Sequence, residues 1–471
     1  MSNSRLEKDS LGSREIPGDV YYGIQTDRAV ENFHVSGLRS HPRLIDAYLY
    51  IKKAAALANA KSGELDPKLK DAIVRACDEI LDGKLRDQFP VDAFQMGAGT
   101  AIHMNVNEVL SNRANEILGS PKGSYKPVHP NDHANMAQST NDTFPSAVRV
   151  AALLILKESL HGPLEALEKS FAVKGREFDG VLKSARTHLQ DAVPIRLGQE
   201  FAAYAECLRK CRGSLLEAEK SLLELGLGGS AAGTGLNTPP GYREDVIREL
   251  ARLTGLALVP ARDMREAMQS QRPIAEVSAS LRNLCLELTR IVNDLRLLSS
   301  GPTTGFGEIN LPAMAPGSSI MPGKVNPSIL EMVNMVAFQV IGGDTVIALG
   351  TQAGQMELNV MMPVMAFNLN FSMMILGNGL KILKEKCVDG ITANVERCAH
   401  YAASSMGLAT ALNAYIGYAQ AAEVAKEALK SGKTIIQVIR EKKILTEEQI
   451  RSILDPAKMT EPGIPGKKGS A

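Results

Sequence analysis

Four polar segments interrupt an otherwise apolar sequence, and they hold most of the residues able to bind or deprotonate a small polar substrate. They are GAGTAIHMNVNE from Gly97, HPNDHANMAQSTNDTFP from His129, ARTHLQDAVP from Ala185 and GSSIMPGKVNP from Gly317. Ser, Thr, Asn, Lys and His held between apolar helices are the material of a concave site with a few convergent hydrogen-bonding groups. Side-chain chemistry alone favours His188 as a base, because an imidazole with a pKa of about 6.5 exchanges protons at neutral pH. In the last segment glycines and prolines bracket Ser318, Ser319, Lys324 and Asn326, joining hydroxyls, a cation and an amide in one loop.

Other chemistries find less support. His129 and His133 stand four apart, but Pro130 and the Asn-Asp that follows argue against a helix that would aim both at one metal ion. The glycine-rich LGLGGSAAGTGLN from Leu225 lacks the βαβ setting of a phosphate cradle and reads as a connecting loop. No Ser sits in G-x-S-x-G, so acyl transfer through a nucleophile elbow is not indicated. Six scattered cysteines without a CxxC fit buried thiols in a reducing compartment. Lys plus Arg number 53 against 52 Asp plus Glu, a net charge of +1, which leaves no basic field for nucleic acid or an anionic membrane. The opening MSNSRLEKDS has no apolar leader core, and no run approaches the ~20 uninterrupted apolar residues of a membrane span. The expectation is a cytoplasmic enzyme acting on a small molecule.

The elements that must position these segments are helical. Val277, Leu281, Leu284, Leu288, Ile291, Leu295 and Leu298 alternate spacings of four and three, a heptad seam. Leu153, Leu156, Leu160, Leu164, Leu167 and Phe171 repeat the pattern across Gly162-Pro163, and 196–225 is again helix-prone. Helical spacing in the Met-rich stretch around Phe367, Phe371, Met373, Met374 and Leu376 favours a core or a subunit interface. Thr446 and Gln449 have capping-box spacing, and a Gly/Pro/Lys-rich tail follows from about Glu461. These patterns predict a mainly α chain: a mixed, mostly helical N-terminal domain over 1–140, a long-helix bundle over 141–395 and a small helical domain over 396–471.

GSSIMPGKVNP resembles the signature loop of the aspartase/fumarase superfamily. THLQDAVP, HPNDHANMAQSTND, LGLGGSAAGTGLNT and the opening LGSREIPGDVYYGIQTDRAVENF are similar to further segments of that family, in its order, so that the resemblance covers nearly the whole chain. YYGIQTDRAVENF, SGP…GEINLPA and EMVNMVAFQVIG are closer to the aspartase branch than to class II fumarases. The resemblance implies a three-domain fold around a central helical bundle and the anti elimination of ammonia from L-aspartate to give fumarate, without a cofactor. It assigns the base to Ser318 and places His188 near the amine with Asn141. It gives Thr100, Ser139, Thr140 and Ser319 to the carboxylate that becomes the enediolate, and Thr187, Lys324 and Asn326 to the other. It also implies a homotetramer with sites shared between subunits, to which the 277–298 seam would contribute, and a signature loop that closes over a small dicarboxylate.

The sequence departs from the family pattern at several places. Ala101 and His103 replace a polar residue and an Asn after Thr100, Thr303-Thr304 replaces an Arg-plus-small pair, Met362 stands at a usually charged position and Ala185 at a usual Gly. His103 therefore raises the expectation of a shifted substrate range. Fumarate hydratase and a lyase for a modified aspartate are the alternative enzymes. A crystallin-like structural role is disfavoured by the joint presence of Ser318, Lys324, Asn326, Thr187 and His188.

Overall fold

The computed structural model describes residues 4–467; the first three residues and the last four of the C-terminal tail lie outside the described residues. The chain begins with an antiparallel hairpin of β1 (Ser4–Asp9) and β2 (Gly12–Pro17). Helices α1 (Ile24–Asn32), α2 (Pro42–Lys61), α3 (Pro67–Leu81), α4 (Thr100–Ile117) and α5 (Thr140–Ile155) follow. A π-helical turn at Leu156–Leu160 leads into α6 (His161–Glu177), so the helical pattern does run through Gly162-Pro163. A second hairpin, β3 (Leu182–Thr187) and β4 (Gln190–Arg196), precedes α7 (Leu197–Glu219), α8 (Tyr242–Thr254) and α9 (Met264–Gln269). Three long helices, α10 (Arg272–Leu298), α11 (Ser328–Gln352) and α12 (Met362–Lys386), come next, then α13 (Val395–Ser404) and short C-terminal helices. Every sheet among the described residues has two strands, so the chain is mainly α.

The chain divides into two compact units, each drawn from three stretches. One comprises Met1–Gly162, Cys211–Cys285 and Ala337–Gly377; the other Pro163–Lys210, Leu286–Val336 and Asn378–Ala471. In the first, α2 and α3 start where His41 and Asp66 accept the backbone N–H of Arg43 and Lys68 just ahead of a proline at the first helical position. Also in this unit, Asp344 on α11 accepts Ser278 Oγ at 2.6 Å and Arg282 Nη1 at 3.0 Å, which fixes the register of α11 against α10. In the second, Asn334 Nδ2 donates to Asn293 Oδ1 at 2.9 Å between the same two helices. Its C-terminal helices close on Leu408, Leu412, Val424, Ile435, Ile439 and Ile453, and the capping box of Thr446 and Gln449 is formed.

The heptad seam of α10 lies on one face as its spacing requires, and all seven residues are buried within the chain itself. The seam is therefore not the surplus apolar surface the sequence pointed to. That surface is on α11, where Met335, Phe338 and Leu349 are 68 %, 59 % and 57 % exposed along one stripe. By length and composition α11 is also apolar enough to cross a membrane, although Glu331, Asn334, Gln339 and Asp344 interrupt its apolar run. Of the six free cysteines, Cys77, Cys285, Cys387 and Cys398 are buried, while Cys207 and Cys211 are half-buried.

Candidate active site

In the first unit the candidate residues gather at the starts of two helices. Ser139 is the N-cap of α5, its Oγ accepting the Asn141 N–H at 3.2 Å while Asp142 Oδ1 accepts the Ser139 N–H at 2.9 Å. Asp142 Oδ2 also accepts the N–H of Gly228 at 3.0 Å and of Ser230 at 3.1 Å, and Asn141 Nδ2 donates to the Ala231 carbonyl at 2.9 Å. The glycine-rich segment, which follows the two-residue strand Glu224–Leu225, is thus a loop pinned to the α5 N-terminus. Burial pushes the Asp142 carboxyl up to about 6, against those N–H donors and nearby Lys52. Ser139, Thr140 and Asn141 stay half-buried on the first turn, where the helix dipole favours an anion.

Thr100 opens α4 and faces a cavity of 440 Å³ lined also by Ala101, Met104, His129 and Asn131. Gly99 before it has no room for a side chain, since a Cβ would stand 2.0 Å from the Phe144 ring. His129 and His133 serve a local turn: His129 Nδ1 accepts from the N–H of Asn131 and Asp132, and His133 Nδ1 from that of His129 at 2.9 Å. Among the described residues no His, Cys, Asp and Glu cluster is arranged to hold a metal ion.

In the second unit Thr187 and His188 sit at the tip of the β3–β4 hairpin. The loop has two residues, His188 and Leu189, both left-handed at φ 54 and 59, the geometry that matches strand twist in a tight hairpin. Neither is Gly, so the backbone holds strain at the tip while the imidazole is presented outward, exposed to solvent. Beneath it Glu308, fully buried, pairs with Arg186 at 2.9 Å and Lys183 at 3.4 Å, and Lys183 reaches Glu200 at 2.8 Å. Arg186 also lies 4.2 Å over the Phe306 ring. These buried charges fix the strand that ends at Thr187.

Ser318, Ser319, Lys324 and Asn326 share one exposed loop before α11. Gly317 N donates to the Lys324 carbonyl at 2.7 Å and Asn326 Nδ2 to the Gly317 carbonyl at 2.8 Å, closing the loop into a ring. Within that ring Ser318 Oγ accepts two backbone N–H groups, Met321 at 2.9 Å and Ile320 at 3.2 Å. Two backbone donors on one hydroxyl oxygen favour its anion. Lys324 is exposed on the same loop.

Sequence reasoning missed Lys52, Asn135 and Gln138. Lys52 is 1 % exposed on α2 and meets His103 Nε2 at 2.6 Å, and His103 Nδ1 lies 2.7 Å from Thr140 Oγ1. His103, also 1 % exposed, is thus placed to reach a substrate only through Thr140, not by projecting into the pocket. The available signal was a lysine on an Ala-rich helix, YIKKAAALANA, with no polar face to receive it.

Comparison with known proteins gives the family. The family model described as Lyase matches residues 12–342, and the one described as Fumarase C C-terminus matches 408–461. Aspartate ammonia-lyase of Bacillus subtilis is 49 % identical over 98 % of this chain and 98 % of its own. That of Helicobacter pylori is 50 % identical over 97 % and 98 %. Among solved structures, a fumarate lyase:delta crystallin from Brucella melitensis bound to cobalt superposes with a TM-score of 0.94 at 49 % identity, covering 98 % of this chain and 100 % of that one. A class II fumarase from Schistosoma mansoni gives 0.95 at 36 % identity, covering 97 % and 99 %. The chain belongs to the aspartase/fumarase family of lyases.

Proposed function

We propose that this carbon–nitrogen lyase is an aspartate ammonia-lyase, eliminating ammonia from L-aspartate to give fumarate, with Ser318 as the base. The observation that carries the assignment of the base is the pair of backbone N–H groups on Ser318 Oγ. The aspartate ammonia-lyases at 45–50 % identity over nearly the whole chain support the choice of amine. A Ser318 alkoxide takes the proton from the carbon beside one carboxylate, and the C–H electron pair moves into that carboxylate. Thr100, Ser139, Thr140 and Ser319, with the positive end of the α5 dipole, stabilise the added charge. The pair then returns to form the double bond as the C–N bond breaks, and ammonia leaves with the bonding electrons near Asn141 and His188. Thr187, Lys324 and Asn326 hold the second carboxylate.

The two groups of residues come from both units of the chain, and a site completed by neighbouring subunits of a homotetramer is part of this reading. The exposed Met335, Phe338 and Leu349 stripe supports it, because such a stripe on a long helix is costly to leave in water. A cytoplasmic location belongs to the same reading.

Ultraviolet detection of fumarate, with L-aspartate, L-malate and N-substituted aspartates offered in parallel, tests the substrate. Turnover of aspartate alone supports the reading. Turnover of malate alone makes the chain a fumarate hydratase, and turnover of a substituted aspartate alone makes it a lyase for that amine.

A further inference from the structure

Behind the first turn of α5 runs a buried chain of hydrogen bonds from one helix to the next. The Lys52 ammonium on α2 meets three acceptors: His103 Nε2 at 2.6 Å, Gln138 Oε1 at 2.9 Å and Asn135 Oδ1 at 3.1 Å. Burial lowers the Lys52 pKa to about 7, against the nearby Asp142 carboxylate; in its charged form the group has three hydrogens and no lone pair, so this set uses all of them. While Lys52 is charged, His103 Nε2 is an acceptor and the ring hydrogen sits on Nδ1, which donates to Thr140 Oγ1 at 2.7 Å. With that lone pair taken, the hydroxyl hydrogen of Thr140 is left for a partner on its half-exposed side. The Tyr48 ring stacks on His103 at 5.4 Å and 13°, which holds the imidazole plane. Burial and the neighbouring Lys52 charge keep the imidazole well below its ordinary pKa, so it remains neutral as the count requires.

We propose that Lys52 and His103 are positioning residues, Lys52 fixing the tautomer of His103 and His103 fixing Thr140 as a hydrogen-bond donor to the substrate carboxylate. The inference rests on the reading of Thr140 as a carboxylate ligand. It gives the departure at position 103 a specific consequence: the imidazole acts on the carboxylate pocket, at the same strength whatever group leaves.

A double-mutant cycle on kcat/KM tests this, run on whichever of L-aspartate and L-malate the wild type turns over, so that an error in the leaving group does not disturb it. The variants are Thr140→Val, His103→Ala and the pair, with His103→Asn and His103→Gln alongside. Asn places its amide nitrogen near Nδ1 and keeps the donor to Thr140, whereas Gln reaches towards Lys52 instead. Thr140→Val and His103→Ala should each lower kcat/KM by about ten- to a hundredfold, the scale of one hydrogen bond to a charged group. Adding His103→Ala to Thr140→Val should cost almost nothing more, and His103→Asn should recover most of the activity where His103→Gln does not. A His103→Ala loss that persists in the Thr140→Val background overturns the relay, as does a His103→Asn enzyme no better than His103→Gln. A Thr140→Val enzyme with wild-type kcat/KM overturns the carboxylate role of Thr140 and the relay together. If His103→Ala does not fold, the Asn and Gln variants decide the question.

Discussion

Gly317→Ala is the substitution whose effect follows most directly from the geometry. A Cβ at 317 would stand 2.8 Å from Asn326 N, 2.8 Å from the Lys324 carbonyl and 2.9 Å from Asn326 Cγ, where ordinary contact begins at 3.4 Å. Two of the three atoms are backbone, so the loop can relieve the overlap only by opening. Opening breaks the Gly317–Lys324 and Asn326–Gly317 hydrogen bonds, each contributing about 1 kcal/mol net. If their loss, about 2 kcal/mol, falls on the placement of Ser318 in the transition state, kcat drops about 30-fold. The loop is exposed, with Ile320 84 % accessible, so thermal unfolding should barely move. Gly323→Ala is the control: it has open space around it and only a left-handed φ of 79 to strain, a cost of about 1 kcal/mol. Steady-state kinetics and a melting curve on both variants decide the matter. A Gly317→Ala enzyme with wild-type kcat, or one no worse than Gly323→Ala, would refute the claim that the closed ring positions Ser318.

Further expectations concern the supports of the site. Asp142 is raised to about 6 from 3.8 by burial, so its charge costs native stability above the unfolded pKa, and the cost grows through the window from about 4 to about 6 and then levels off. The stability of wild type relative to Asp142→Asn should therefore fall by up to about 3 kcal/mol between pH ~4 and ~7 in urea unfolding, and a flat difference would contradict this. Leu189→Asn, which tolerates the left-handed φ of 59, should raise stability by about 0.5–1 kcal/mol without lowering kcat; a loss of stability on denaturant titration would count against the strained turn. Glu308→Leu leaves Arg186 without its carboxylate and Lys183 with Glu200 alone and should destabilise by about 3–5 kcal/mol while lowering kcat through the hairpin. An unchanged melting curve would show that the network supports nothing.

Much of this architecture was legible because its signals are local. Alternating four and three spacings over 277–298 become a buried stripe on α10, and the Thr446–Gln449 spacing becomes a formed capping box. The polar segments fall at helix starts, a hairpin tip and a loop, the places where backbone donors and side chains are free to meet a ligand. What stayed hidden depends on neighbours distant in sequence. Lys52 and Lys53 are adjacent, yet Lys53 reaches Asp78 at 18 % exposure while Lys52 is buried among His103, Asn135 and Gln138. Nothing in THLQ announces two left-handed residues, since neither is Gly or Asn. The seam was expected to face another subunit because its stripe is long, and only the packed chain shows that it is already covered. The three-domain division at 140 and 395 stands as a proposal that limited proteolysis would test.

Ser318→Ala, compared with wild type for fumarate and ammonia released from L-aspartate, tests the central claim most directly. The account predicts one ammonia per fumarate in the wild type and a kcat lower by about 10²–10⁴ in the variant, the contribution of a positioned base, with an unchanged melting curve. A Ser318→Ala enzyme that keeps most of its turnover would contradict the assignment of Ser318 as the base.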